Sequence, residues 1–247
     1  MNDARSWSEG ELLGFDLETT GVDRFGDVPV SFSLVTVRAG QVVATLSALV
    51  DPGRPIPAGA TAVHGITDDQ VRAEGMPLDA AVESIVEALV HARSRGVPVV
   101  GMKLDYDLTI VDVQCRRIRG EGLAGSGWDG PAVDGLVLDR HVDRFRKGRR
   151  TLEALCAHYQ VPIDNAHDAR ADAIAAVGVA RAICERFPEV AMATLADLHA
   201  DQSRWHREWA ESFDAWLQRQ GRPCLDPRDF DWPVSPLVAP GGPASPG

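Results

Sequence analysis

The sequence predicts an α/β domain built on a mixed β-sheet flanked by helices, with a C-terminal helical extension. Two observations carry this. β-rich runs cluster before residue 50, and from residue 97 onward short apolar runs alternate with segments of helical periodicity. Early strands joined by tight turns imply antiparallel pairing, and later strands reached through helices imply parallel crossovers.

Each element follows from its residues. Residues 11–16 (ELLGFD) read as a short strand running into carboxylates. Residues 30–37 and 41–50 are β-rich and are separated by Arg38-Ala39-Gly40, a hairpin signal. DPGRPIP at 51–57 is turn-rich, and Thr67 with Gln70 forms a capping-box pattern that starts a short helix. Leu78, Val82, Ile85, Leu89 and Val90 give helical spacing over 78–94. VPVVG at 97–101 reads as a buried strand. A helix over 107–118 follows, with Leu108, Val111, Cys115 and Ile118 on one face.

Residues 119–131 contain five glycines and are expected as an exposed loop, and 133–138 (VDGLVL) as a strand. Thr151 can N-cap a helix to about 158, a long Ala-rich helix covers 168–186, and one or two more cover 190–220. In the last of these, Trp205, Trp209, Phe213 and Trp216 recur at helical spacing, which reads first as core packing and otherwise as an association surface. From about 223 the chain is rich in Pro and Gly, and its last ~12 residues are expected to be disordered.

The chain has 247 residues, 45% of them hydrophobic, enough for a sizeable core. No apolar run reaches the ~18 residues of a membrane-spanning helix, and residues 1–9 lack the apolar stretch of a signal peptide. The four cysteines lie far apart without a C-x-x-C, so neither structural zinc nor a disulfide framework is indicated, and a cytoplasmic setting is expected. A net charge of −11 argues against holding nucleic acid by bulk electrostatics. It leaves room for a metal site served by a local basic patch. Arg144, Arg146, Lys147, Arg149 and Arg150 form the one dense basic run.

Three motifs carry chemistry. In Phe15-Asp16-Leu17-Glu18-Thr19-Thr20-Gly21, strand alternation puts Asp16 and Glu18 on one face and Leu17 on the other. Two carboxylates that close repel, and a hard divalent cation relieves the repulsion. The pair alone also fits a solvated strand edge. Tyr106-Asp107-Leu108 places an acid near a helix start after a strand, a position that also suits an acid favoured by the helix dipole. Asp105 competes for the same role. Asp107 is preferred because Tyr106 can anchor the helix start. In His167-Asp168-Ala169-Arg170-Ala171-Asp172, a histidine precedes a small-residue helix that can approach the sheet closely and bring Asp172 in.

The order of these motifs resembles the His-containing branch of the DEDD 3′→5′ exonuclease superfamily, which includes the proofreading subunits of bacterial replicative polymerases. Val63-His64-Gly65-Ile66-Thr67 and Gly148–Cys156 are similar to further family segments. The resemblance implies a ribonuclease H-like fold over residues 10–187, between a flexible 1–9 and a helical extension at 188–222 with a Pro/Gly-rich tail at 223–247. It implies two Mg²⁺ or Mn²⁺ ions on Asp16, Glu18, Asp107 and Asp172, with His167 as the base. Thr19, Thr20, Gly21 and His64 would receive the terminal nucleotide. Single-stranded nucleic acid 3′ ends are the implied partner, DNA before RNA, with a polymerase subunit or a second copy as a possible protein partner. An RNA-trimming enzyme and a non-catalytic binding or tethering module are the alternatives. One departure stands out: where many members have Asn, three residues before the aromatic, this chain has Lys103.

Overall fold

The computed structural model describes residues 6–163 and 168–238. Its centre is a six-stranded sheet in the order β4-β3-β2-β1-β5-β6. The strands are β1 (Glu11–Thr19), β2 (Pro29–Arg38), β3 (Gln41–Asp51), β4 (Met76–Pro77), β5 (Val99–Gly101) and β6 (Ala132–Asp134). β1 pairs antiparallel with β2 and parallel with β5, so the sheet is mixed, and β1 lies inside it. The turn between β2 and β3 is Ala39-Gly40, with φ of 49° and 76°. Positive φ at both central residues gives a two-residue turn whose twist matches that of the strands.

The helices are α1 (Ala58–His64), α2 (Asp68–Glu74), α3 (Leu78–Ser94), α4 (Leu104–Arg119), α5 (Gly135–Val142), α6 (Leu152–Tyr159), α7 (Ala169–Arg186), α8 (Pro188–Met192) and α9 (Leu195–Arg219). The capping box on α2 is formed as expected: the Thr67 hydroxyl accepts from Gln70 N–H and the Gln70 side chain accepts from Thr67 N–H. The alternation of β1 sorts the core into two layers. Leu13, Phe15 and Leu17 pack with α3 and α4, and Leu12 packs with α7 on the opposite face. Gly14 also faces α7: a Cβ there would meet the Ala173 carbonyl oxygen at 2.8 Å and Val177 Cγ2 at 2.9 Å. The helix therefore rests almost directly on the strand.

Several local expectations are corrected. Residues 133–138 do not continue as a strand: β6 ends at Asp134 and α5 begins at Gly135. The Asp134 carboxylate accepts from Leu136 N–H and caps the helix, which a short apolar run cannot reveal. Helix α4 starts at Leu104 rather than 107, behind Lys103 in the left-handed region (φ 63°). The 58–64 segment, unassigned in the sequence, forms α1. The glycine-rich 119–131 segment is not a free loop, because Leu123 and Trp128 are both 1% exposed and fasten it to the core. The aromatics of α9 divide. Trp205 packs against the core and stacks on His141 at 3.6 Å, whereas Trp209, Phe213 and Trp216 stack on one another, with Trp216 at the surface. No helix among the described residues is long and apolar enough to cross a membrane.

The basic run is also partly structural. Arg146 and Arg150 both pair with Asp139, which is fully buried and also accepts from the Tyr159 hydroxyl at 2.9 Å. Removing one partner of a buried pair leaves the others desolvated, at a cost of about 3–5 kcal/mol. Asp139→Ala should lose stability of that order in urea unfolding. A loss under about 1 kcal/mol, the range of exposed pairs, would mean that this cluster is solvated in solution.

Candidate active site

The C-terminal end of β1 delivers two carboxylates to the α7 side of the sheet. Leu17 is buried in the opposite layer while Asp16 and Glu18 share the other face, as strand geometry requires. The first turn of α7 supplies Asp172. Asp168 caps that helix, its carboxylate accepting from Ala171 N–H at 2.9 Å. The small face of α7 over Gly14 lets the helix come this close. One carboxylate oxygen each from Asp16, Glu18 and Asp172 lie within 4.8 Å of one another.

Asp107 enters from the first turn of α4, 5% exposed. It stands outside that trio of oxygens but faces the same group. After burial, Asp107 is the strongest influence raising the Asp16 carboxyl, followed by Asp172, Glu18 and Asp168. Burial likewise raises Asp107, as do Asp105, Asp134 and Glu18, while the Lys103 charge opposes them. Glu18 is pushed up to about 8 by burial and then by Asp172 and Asp168. Like charges are thus held together in a partly desolvated site, with the Lys103 charge opposing the rise at Asp107. The donor set is all oxygen and anionic, which fits a hard divalent ion such as Mg²⁺ or Mn²⁺.

Asp105 has a different fate. Its carboxylate pairs with Arg24 Nη1 at 2.9 Å, and it does not line the cleft. Tyr106 does anchor the helix start: its hydroxyl donates to the Gly21 carbonyl and lies 3.0 Å from Thr19 Oγ1. Burial raises this phenol to about 12, so it stays a neutral donor. The four acids line one cleft of about 500 Å³ together with Lys103, Tyr106 and Arg150. The Lys103 ammonium lies 5.1 Å from the Tyr106 ring centroid and the residue is exposed.

The remaining predicted residues fall as follows. Thr19 Oγ1 donates to the Gly21 carbonyl at 2.8 Å. Thr20 is buried, donating to Asp27 at 2.7 Å and accepting from Arg54 at 3.0 Å. Gly21 lies against Asp27, whose Oδ2 would stand 2.5 Å from an added Cβ. His64 ends α1, its Nδ1 accepting from Ile66 N–H at 3.0 Å, and it does not line the cleft. His167 lies outside the described residues.

Sequence reasoning missed Asp134. Its carboxylate, fully buried, accepts from the N–H groups of Lys103 (3.0 Å) and Leu104 (2.8 Å). It therefore fixes the left-handed Lys103 and the start of the helix that carries Asp107. An Asp directly before a glycine at the end of a β-run was the available signal. Gly14 was missed as well, although a lone glycine inside a strand often marks close backbone approach.

A mixed sheet covered by helices thus carries an acidic cleft at the end of its central strand. A family model described as an exonuclease, RNase_T, matches residues 13–180, and the chain belongs to that family. Among its relatives, the DNA polymerase III subunit epsilon-like protein of Rhodobacter capsulatus is 34% identical over 166 residues, 65% of this chain and 22% of that protein. A DNA polymerase III of PolC type from Lacticaseibacillus paracasei is 29% identical over 172 residues, 70% of this chain and 11% of the relative. The chain thus spans a minor part of these relatives' length. Among solved structures, E. coli exonuclease I in complex with a dA16 oligonucleotide superposes with a TM-score of 0.63 at 22% identity, covering 80% of this chain and 44% of that one. This likeness establishes the ribonuclease H-like exonuclease fold.

Proposed function

We propose that the chain is a metal-dependent 3′→5′ exonuclease that removes nucleoside 5′-monophosphates from single-stranded DNA ends. The observation that carries this reading is the trio of Asp16, Glu18 and Asp172 oxygens within 4.8 Å, with Asp107 beside it, in a chain of an exonuclease family. Asp16, Glu18, Asp107 and Asp172 would hold two Mg²⁺ or Mn²⁺ ions. Such ions, when bound, activate water and stabilise charge on the attacking and leaving oxygens.

The chain's own groups do the rest. His167 is the assigned base, since an imidazole with an ordinary pKa of ~6.5 exchanges a proton efficiently near neutral pH. The β1–β2 turn at Thr19-Thr20-Gly21, held by Tyr106, and His64 are the assigned receivers of the terminal nucleotide, and as none of these receivers lines the cleft they would meet it beyond the cleft's rim. Lys103, exposed at the cleft, offsets the acidic surroundings and contacts a phosphate of the incoming strand. The epsilon-like relative and the exonuclease I complex with an oligonucleotide support the preference for DNA. The polymerase relatives support a polymerase subunit as protein partner, with a second copy as the other outcome of a pull-down and sizing experiment.

The test is digestion of matched 5′-labelled DNA and RNA single strands with Mg²⁺ or Mn²⁺. A shortening ladder on DNA is expected. An intact strand with both metals would sink the enzyme reading, and a ladder on RNA alone would reassign the substrate. His167→Ala should cut the rate by about 10²–10⁴-fold, the range of general-base catalysis, while metal binding persists in calorimetry. Lys103→Gln should raise KM and lower the slope of log affinity against log salt by about one phosphate contact. An unchanged salt slope would remove Lys103 from the substrate path.

A further inference from the structure

Residues 229–235, after α9, return to α4, and three of them reach the supports of Asp107. Trp232 is 4% exposed and donates its indole N–H to Asp134 Oδ2 at 3.3 Å, on the same carboxylate that holds Lys103 and Leu104. Ser235, 1% exposed, donates its backbone N–H to Thr109 Oγ1 at 2.8 Å, one turn along α4 from Asp105. Its hydroxyl accepts from Arg24 Nη1 at 2.8 Å. Arg24 also pairs with Asp105 at 2.9 Å and with Asp229 at 3.2 Å. The Asp229 carbonyl lies 2.9 Å from His206 Nε2 on α9. Arg24 belongs to the β1–β2 turn that Tyr106 anchors from the other side.

We propose that residues 229–235 form a strap that sets the position of Asp107, with Arg24, Trp232 and Ser235 as positioning residues. The strap ties the β1–β2 turn to the first turn of α4, the two pieces that flank the cleft. None of its three positioning residues lines that cleft. Arg24 is the centre of the arrangement. It satisfies three partners from two chain segments, Asp105 on α4 and Asp229 and Ser235 on the strap, and its removal leaves Asp105 as an unpaired buried charge two residues from Asp107. Partners of this outer kind orient metal-binding carboxylates, and their loss typically costs about 10–100-fold in metal affinity or activity.

The catalytic arm of this inference rests on the proposed function, so its test uses two further readouts. In the full chain, Arg24→Gln should weaken Mn²⁺ binding by calorimetry about tenfold and lower kcat by a similar factor, with KM little changed. Amide hydrogen exchange over residues 103–109 should accelerate while that of α7 stays at the wild-type rate. Arg24→Lys should recover part of both effects. Trp232→Phe, which keeps the bulk and removes the N–H, should accelerate the same amides and serves if Arg24→Gln does not fold. A lowered Tm with wild-type Mn²⁺ affinity and wild-type exchange over 103–109 would overturn the proposal and reduce the strap to ordinary packing. If the wild-type chain binds Mn²⁺ but degrades neither DNA nor RNA, the proposed function fails, and exchange and Mn²⁺ binding still decide the strap.

Discussion

Asp16→Asn should abolish hydrolysis and at the same time stabilise the metal-free protein. The rate loss should exceed the ~10–100-fold typical of an outer-shell partner, because the amide removes the most central anionic oxygen of the cluster. The gain in stability has the same origin. In the metal-free protein the Asp16 carboxyl is buried beside Asp107, Asp172 and Glu18, and all of them raise it. An isosteric amide ends that repulsion without opening a cavity. Both effects are read on one sample set, by activity with Mn²⁺ and by urea unfolding in EDTA. A variant that loses activity and is also destabilised in EDTA would contradict this account.

The sign with pH follows from the same groups. The Glu18 carboxyl has an ordinary value of 4.5 and is raised to about 8 in the fold. Between these values the native state binds more protons than the unfolded chain, so metal-free stability falls as pH rises from 4.5 to 8. Asp16 and Asp107 add to the slope in the same direction. Saturating divalent metal should remove the slope, since metal binds the deprotonated carboxylates and its affinity increases with pH. At a metal concentration of 100 times Kd the added stability is about 2.7 kcal/mol. Thermal scans at pH 5 and pH 8, with and without Mn²⁺, check both statements.

Gly14→Val should damage the site from two residues away. The Cβ alone would sit 2.8 Å from the Ala173 backbone oxygen and 2.9 Å from Val177 Cγ2. A backbone atom cannot rotate aside, so α7 must lift from β1. Overpacking of this kind costs about 1–3 kcal/mol. Asp172 precedes Ala173 and moves with it. A displacement of about 1 Å at a reacting centre can cost ~10²-fold in rate. Gly14→Val should therefore lose about two orders of magnitude in activity while retaining a cooperative fold. Val177→Ala should rescue it only in part, because the clash with the carbonyl remains. Full activity in Gly14→Val would show that α7 approaches less closely than described.

The gathering of the acids was legible where placement follows chain period. Asp16 and Glu18 fall on one face because a strand repeats every two residues, and Asp172 follows from an Ala-rich helix that can press on the sheet. Asp107 lines the cleft, whereas Asp105 is claimed by Arg24. What escaped depended on single side chains acting across long separations. Asp134 turned an apolar β-like run into a helix start, and no local pattern shows that its carboxylate also reaches Lys103 and Leu104. Lys103 at a φ of 63° is a left-handed residue without glycine or asparagine to announce it. The buried Trp128 hid in a segment whose five glycines read as solvent-exposed.

The four carboxylates proposed to hold metal come from β1, α4 and α7, and Asp16 and Asp172 stand near the two ends of the matched region 13–180. On the proposed reading, cutting power is therefore a property of the finished chain. A ribosome adding ~5–20 residues per second completes β1 well before α7 emerges. Through that interval a nascent chain carries Asp16 and Glu18, and later Asp107, without the helix that supplies Asp172. Fragments released early, or molecules opened at either end, are harmless to nucleic acid, and the loss of nuclease activity in denaturant should coincide with global unfolding rather than precede it.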